Sequence, residues 1–285
     1  MSDGARLGLG FQHAGRIRRF TEGTAAVAVW MIVGLVFRMS ANAYLLLGIP
    51  IAIGFQRYVR REPLPTMWVR KATPFHLGIG GITIAILLMV KPLIDLADAF
   101  RSREGLAVCV WFLVAMTGAW PAAYALRNFR RANFRELLIC LATAGAVGCA
   151  IMVATAFALP ARHDPAWAKV RTGLGSFLNY VPVIFLVEEV WFRGVLDSHL
   201  HHPGERRGAL SAIYVSALWG VWHYPISAQP HHLRDLLPTL AALLAVHIAI
   251  GALLSWSWRR SGNLFVPGSA HALIDAVRNA MFGLA

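Results

Sequence analysis

Charged residues are scarce in this sequence, and acidic residues are the scarcest of them. Only 14% of the 285 residues are charged, with 14 Asp and Glu against 27 Lys and Arg, whereas 57% are hydrophobic. A soluble enzyme or a disordered chain needs more polar surface than this composition supplies. Both classes are therefore excluded, and the composition predicts a membrane protein.

Cysteine is also rare, and its placement excludes two kinds of site. Cys109, Cys140 and Cys149 all lie inside apolar runs, where a thiol behaves as a small hydrophobic side chain. The sequence has no CxxC spacing, so neither a disulfide framework nor a zinc knuckle is expected.

The excess of basic residues has two interpretations, of which membrane topology is the stronger. Lys and Arg occur in short clusters between apolar runs, and no nucleic-acid-binding motif accompanies them. We therefore expect no nucleic-acid partner. In a membrane protein, basic clusters instead mark the loops on the cytoplasmic side.

Apolar runs recur along the whole chain. They cover residues 24–37, 41–55, 77–90, 105–126, 137–159, 174–196, 209–222, 236–258 and 264–284. The runs 105–126 and 137–159 contain no charge and reach the length of about 20 residues that a membrane-spanning helix needs. The first two runs are shorter, so they form either a helical hairpin or one broken span. The pattern predicts an all-α polytopic membrane helical bundle with seven to nine helices.

The basic loops predict one orientation in the membrane. The loops 56–71 and 127–136 each carry at least four Lys or Arg, which places them and the N-terminus in the cytoplasm. We expect a multi-pass protein of the cell membrane in three parts. These are a basic cytoplasmic N-terminus (residues 1–23), N-terminal transmembrane helices (24–173) and a C-terminal set of helices that carries motifs (174–285).

Polar side chains are concentrated in the last four apolar runs. These side chains are Glu188, Glu189, Arg193, His223, His247, His271, Asp275 and Arg278. An ionised side chain at the centre of a membrane helix costs about 2.5 to 3.5 kcal/mol on insertion scales, so a group of them requires mutual pairing and usually a function.

Helical spacing arranges these side chains into pairs. Glu189 and Arg193 are four residues apart and share a helix face, so the arginine can neutralise that carboxylate and leave Glu188 on another face. His271 and Asp275 have the same spacing. His247 stands alone in an apolar run, and we interpret it as an interhelical hydrogen bonder.

One glutamate and two histidines in a cavity sheltered from bulk water have the chemistry of a hydrolytic site. The carboxylate can take a proton from water, while imidazoles orient that water or donate to an oxyanion. Three other intramembrane protease signatures are missing: HExxH, GxGD and the rhomboid GxSG.

Three motifs follow one another in the last helices. Residues 188–193 match EExxxR, Trp219 to His223 matches an aromatic residue four positions before histidine, and His271 to Asp275 matches HxxxD. In this order they resemble the CPBP family of CAAX prenyl endopeptidases and bacteriocin-processing proteins. The resemblance covers roughly residues 174–284, and the first half of the chain matches nothing specific.

The resemblance implies an intramembrane endopeptidase. Glu188 and His223 are expected to activate a water molecule, and His271 with Asp275 to stabilise the oxyanion. No cofactor is then required. The alternative, zinc held by Glu188, His223 and His271, is disfavoured. The expected partners are membrane lipid and a hydrophobic or lipidated peptide substrate.

The motifs depart from the family pattern at two positions. Trp219 replaces the usual Phe, which gives the pocket a bulkier wall. Asp275 stands where the eukaryotic CAAX enzymes have Asn, and a carboxylate donates to an oxyanion only when it is protonated. Asp275 can instead hold His271 in one tautomer. Glu189 and Arg193 are implied to be a supporting pair.

Two other functions are compatible with these residues. A transporter or channel could use the midplane Glu, Arg and His residues as a relay, but it predicts broken helices in paired halves, which the sequence does not indicate. A non-catalytic immunity or scaffold protein could keep the same fold.

Overall fold

The fold is entirely helical in the part of the chain that the structure describes. This computed structural model describes residues 15–71, 74–158, 164–201, 208–227 and 233–283. Its ten helices are α1 Arg16–Val36, α2 Ala41–Gly54 with a π-helical extension Phe55–Arg60, α3 Gly78–Ser102, α4 Gly105–Arg127, α5 Arg131–Ala158, α6 Ala166–Ile184, α7 Val190–Asp197 continued by Ser198–Leu200, α8 Ala209–Trp222, α9 Leu233–Ser261 and α10 Phe265–Phe282.

Five of these helices, α1, α3, α4, α5 and α9, are long and apolar enough to cross a membrane. Many large hydrophobic side chains on their outer faces are exposed, among them Ile32, Leu87 and Phe112. Such surfaces are stable only against lipid. The predicted all-α, multi-pass membrane bundle is thereby confirmed.

The first two apolar runs form a helical hairpin. Helix α1 begins at Arg16, which makes it 21 residues long, and α2 packs against it after a short turn. The boundary predicted at residue 23 therefore falls inside α1, and residues 1–14 lie outside the described part. Helix α2 also continues to Arg60, so the basic loop begins at Arg61 and not at Gln56.

The run 174–196 is two helices instead of one. Helix α6 ends at Ile184, the turn 185–187 follows, and Glu188 and Glu189 begin the next helical segment. Pro182 in the last turn of α6 has no backbone N–H to continue the helix ladder. This division raises the number of helices in the described ranges above the predicted seven to nine. Most of α7 is π-helical, a geometry that is frequent at functional sites.

The loops predicted to lie on one side of the membrane contact one another. The backbone N–H of Arg70 donates to the carbonyl of Gly262 at 2.8 Å, and the side chain of Asn133 donates to the carbonyl of Ser261 at 2.9 Å. The basic loops after α2, α4 and α9 therefore meet at the same end of the bundle.

A close approach of α8 and α9 positions one side of the candidate site. A Cβ atom at Gly220 would lie 2.9 Å from the carbonyl oxygen of Leu243 and 3.2 Å from the Cβ of His247. Only glycine permits this distance without a shift of one helix.

Candidate active site

Polar side chains from α7, α8, α9 and α10 surround one cavity of about 170 Å³. Its polar and aromatic lining consists of Glu188, Trp219, His223, His247, His271, Asp275 and Arg278. Glu189 and Arg193 lie buried beside it. The structure therefore brings the sequence-predicted residues together, while the catalytic role of each stays a prediction.

Glu188 is held by two side chains of α8. The indole N–H of Trp219 donates to its Oε2 atom at 3.1 Å, and the Nε2 atom of His223 lies 3.6 Å from the same oxygen. The carboxylate retains 21% side-chain exposure, and the described residues offer it no ion pair with Arg or Lys. Phe, the usual residue at position 219, cannot supply this hydrogen bond. Trp219 therefore donates a hydrogen bond to Glu188 and also lines the cavity.

The tautomer of His223 follows from its hydrogen bond. Its Nδ1 atom lies 2.9 Å from the carbonyl oxygen of Trp219. Because a carbonyl only accepts, Nδ1 carries the proton and Nε2 presents a lone pair towards Glu188. Two acceptors facing each other need a shared proton or a water molecule between them.

Glu189 and Arg193 form the predicted ion pair, and both side chains are buried away from solvent. Both side chains are 0% exposed, and Nε of Arg193 lies 3.6 Å from Oε2 of Glu189. The guanidinium also lies over the ring of Trp219, with Cζ 4.6 Å from the centroid. The other oxygen of Glu189 lies 3.1 Å from Nδ1 of His271, a contact between α7 and α10 that the sequence did not predict.

His271 faces a carboxylate at each ring nitrogen. Its Nδ1 atom contacts Glu189, and its Nε2 atom lies 3.6 Å from Oδ2 of Asp275. An imidazole donates from both nitrogens only as the imidazolium cation. Two carboxylates at these positions favour that form.

Asp275 has a second partner, Arg278, to which sequence reasoning assigned no role. Nη1 of Arg278 lies 2.8 Å from Oδ1 of Asp275, and Nη2 donates to the hydroxyl of Tyr180 at 2.9 Å. The spacing of three residues on one helix was the available signal. Asp275 and Glu189 thus each pair with an arginine, whereas Glu188 does not.

The sequence predicts that His247 forms a hydrogen bond to another helix, and this prediction is wrong. Its Nδ1 atom lies 2.6 Å from the carbonyl of Leu243 in its own helix. Its ring packs against the ring of His223, with centroids 4.2 Å apart. The isolation of His247 in an apolar run gave no sign of this position.

A second, smaller cavity of about 40 Å³ meets the site from the side of α2, α4 and α6. Apart from Asn42, Tyr180, Glu188 and Asp275, its lining is aliphatic. Glu188 and Asp275 border both cavities. A polar chamber and an apolar pocket therefore meet at these two carboxylates.

The donor set does not fit a zinc ion. In the described ranges, no three His, Cys, Asp or Glu side chains are grouped so as to hold a metal. Glu188 and His223 face each other, but both nitrogens of His271 are directed at carboxylates. Zinc prefers tetrahedral ligation with ring nitrogens free to bind it.

The fold and the cavity define a polytopic helical membrane protein with a sheltered polar site among its last helices. Residues 170–277 match the family model of the type II CAAX prenyl endopeptidases, described as Rce1-like. The resemblance inferred from the three motifs is confirmed. The match ends just before Arg278. Neither the curated proteins nor the solved structures contain a match to this chain.

The buried pair generates a test of stability. Arg193→Met removes the guanidinium that pairs with Glu189, and breaking a buried pair in this way typically costs about 3 to 5 kcal/mol. We expect a large fall in the melting temperature of the protein in detergent. The double variant Glu189→Gln/Arg193→Met should recover much of it, because no buried charge is left uncompensated.

Arg18→Met is the matched control. Arg18 pairs with Glu22 across one helical turn, but its side chain is 72% exposed, and such pairs contribute about 0 to 1 kcal/mol. Equal melting temperatures for the Arg18 and Arg193 variants would contradict a stabilising role for the buried pair.

Proposed function

We propose that this chain is an intramembrane endopeptidase of the CAAX type, which hydrolyses a peptide bond of a membrane-associated peptide. One observation carries the proposal. Glu188, the acid of the cavity with no ion pair to Arg or Lys in the described ranges, lies 3.6 Å from a lone-pair nitrogen of His223. A water molecule that donates to both is oriented for attack by two bases. The family match to residues 170–277 supports this chemistry.

The reaction begins when the water oxygen attacks the substrate carbonyl carbon. Glu188 accepts one proton of that water as the carbon–oxygen bond forms. Glu188 then returns this proton to the amide nitrogen as the carbon–nitrogen bond breaks. General acid–base groups of this kind typically contribute about 10²- to 10⁴-fold to the rate.

His271 stabilises the oxyanion of the tetrahedral intermediate. As an imidazolium it offers a full positive charge, and its Nε2–H, which at 3.6 Å from Oδ2 of Asp275 makes no hydrogen bond there, donates to the oxyanion. The pair of Asp275 and Arg278 keeps the carboxylate ionised, so that Asp275 orients His271 and does not itself donate. The arginine thereby adapts the site to Asp at a position where the eukaryotic CAAX enzymes have Asn.

The surroundings of the site favour a hydrophobic or lipidated peptide substrate. Apolar helices enclose the polar chamber, and the aliphatic pocket beside Glu188 accommodates a small apolar side chain next to the scissile bond. Lipid is the other expected partner, and neither a cofactor nor nucleic acid has a role. The gathered basic loops favour a cytoplasmic N-terminus in the cell membrane.

Substitution of Glu188 and His223 tests the proposal. Glu188→Gln and His223→Ala should each reduce cleavage of a farnesylated, internally quenched peptide in liposomes by at least about 100-fold, because each removes a base from the attacking water. Release of fluorescence measures the rate, and melting temperature reports folding.

Glu104→Gln is the control, because Glu104 lies in the turn between α3 and α4, away from the cavity. Wild-type cleavage by the Glu188→Gln variant would refute the mechanism. An ion flux through the liposomes that the same substitution abolishes would identify a transporter instead.

The pair of Asp275 and Arg278 predicts a compensating double variant. Arg278→Leu alone leaves a buried carboxylate without its cation, and we expect kcat to fall about 10- to 100-fold, a loss of about 1.4 to 2.7 kcal/mol. Asp275→Asn/Arg278→Leu should recover most of the activity, since an amide needs no cation and can donate to the oxyanion itself. Equal losses in the single and double variants would contradict the pairing.

Metal analysis tests the absence of a cofactor. We expect substoichiometric zinc in the purified, active protein and unchanged cleavage after treatment with a membrane-permeant chelator. Loss of activity on chelation, with recovery on addition of zinc alone, would show that the reaction depends on a metal.

A further inference from the structure

His247 is a titratable group of the cavity for which the proposed mechanism has no role. It lies on α9, which carries none of the three motifs. Its ring is inclined by 35° to that of His223 and lies 4.6 Å, between centroids, from the ring of Trp219. It lines the same cavity as Glu188. A group in this position can exchange protons with the reacting atoms.

The hydrogen bond of His247 fixes which nitrogen is basic. Nδ1 lies 2.6 Å from the carbonyl oxygen of Leu243, four residues earlier in the helix. The carbonyl only accepts, so Nδ1 carries the proton and Nε2 holds the lone pair. No partner for Nε2 is found among the residues that the structure describes. His223 is held in the same way by the carbonyl of Trp219.

Helix packing keeps the two imidazoles side by side. Gly220 allows the backbone of α8 to approach Leu243 and His247 so closely that any side chain at this position would collide with them. The rings of Trp219 and His247 pack in a T-shaped arrangement, at 89° to each other. The ring of His247 is therefore positioned by backbone contacts and does not depend on a flexible loop.

Peptide hydrolysis releases two protons from the attacking water, and the proposed function accounts for only one. Glu188 carries the first proton to the leaving amine. The second proton, for which His223 provides only the hydrogen bond that orients the water, stays on the hydroxyl of the tetrahedral intermediate and must leave when the product becomes a carboxylate. At neutral pH the products are a carboxylate and largely an ammonium ion, because an α-amino group has a pKa of about 7.7 to 8.0, so this proton has to pass from the hydroxyl to the amine.

We infer that His247 is a further catalytic residue, the base that accepts the second proton as the product carboxylate forms. The O–H bond of the intermediate breaks, the proton moves to Nε2, and the electron pair remains on the carboxylate. His247 then passes the proton to the leaving amine, which becomes an ammonium ion. This inference rests on the proposed function, because it supplies a step of the same reaction.

His247→Asn is the substitution that separates catalysis from packing. The amide N–H of asparagine can replace the Nδ1–H donor to Leu243, but asparagine has no basic nitrogen. We expect kcat on the farnesylated quenched peptide to fall about 100-fold, the lower end for a general acid–base group, with little change in KM or melting temperature. Wild-type kcat in this variant would overturn the inference.

Chemical rescue provides the second measurement. In His247→Ala, added imidazole should restore at least a tenth of the lost rate. Pyrrole, which has the same ring size and an N–H but no basic nitrogen, should not. Equal rescue by both compounds would show that the ring only fills space and would also overturn the inference.

The Glu188→Gln variant distinguishes failure of the catalytic role of His247 from failure of the proposed function. If Glu188→Gln is inactive while His247→Asn cleaves normally, only the role of His247 fails. If Glu188→Gln cleaves normally, the proposed function itself fails.

Discussion

Charges buried among apolar helices have to be neutralised where they stand, and this constraint organises the whole site. Glu189 is fully buried, and its two oxygens face Arg193 and His271 from different helices. Asp275 is neutralised in turn by Arg278. Because each of these acids has an arginine as ion-pair partner, the remaining carboxylate of the cavity, Glu188, is available to interact with water. Pairing and reactivity are thus two consequences of the same charge balance.

Much of the fold could be predicted from sequence, since hydrophobicity alone identifies helices in lipid. The break at residues 185–187 could not be predicted, because the run 174–196 stays apolar across it and Pro182 was its only signal. The start of α1 was also missed, since Arg16 and its neighbours are polar and yet helical. The break removes one argument against a transporter, and the family match to residues 170–277 remains the support for the proposed hydrolase.

In the candidate site, contacts within one helix could be predicted from the sequence, whereas contacts between helices could not. Spacing along one helix predicted the pairs Glu189 with Arg193 and His271 with Asp275, because residues four apart share a face. Contacts between helices, such as Trp219 to Glu188 or His247 to His223, depend on how each helix is rotated about its axis. Close approaches such as the one at Gly220 set that rotation, and one sequence does not reveal them.

The order of α7 and α10 along the chain has a consequence for biogenesis. Synthesis delivers the helices from the N-terminus onwards, so Glu189 enters the bilayer before His271 exists. Until α10 docks, the acidic turn of α7 faces an unfilled gap lined by lipid or water. Docking of α10 closes this gap, so the polar cavity is complete only after that helix has been synthesised and inserted.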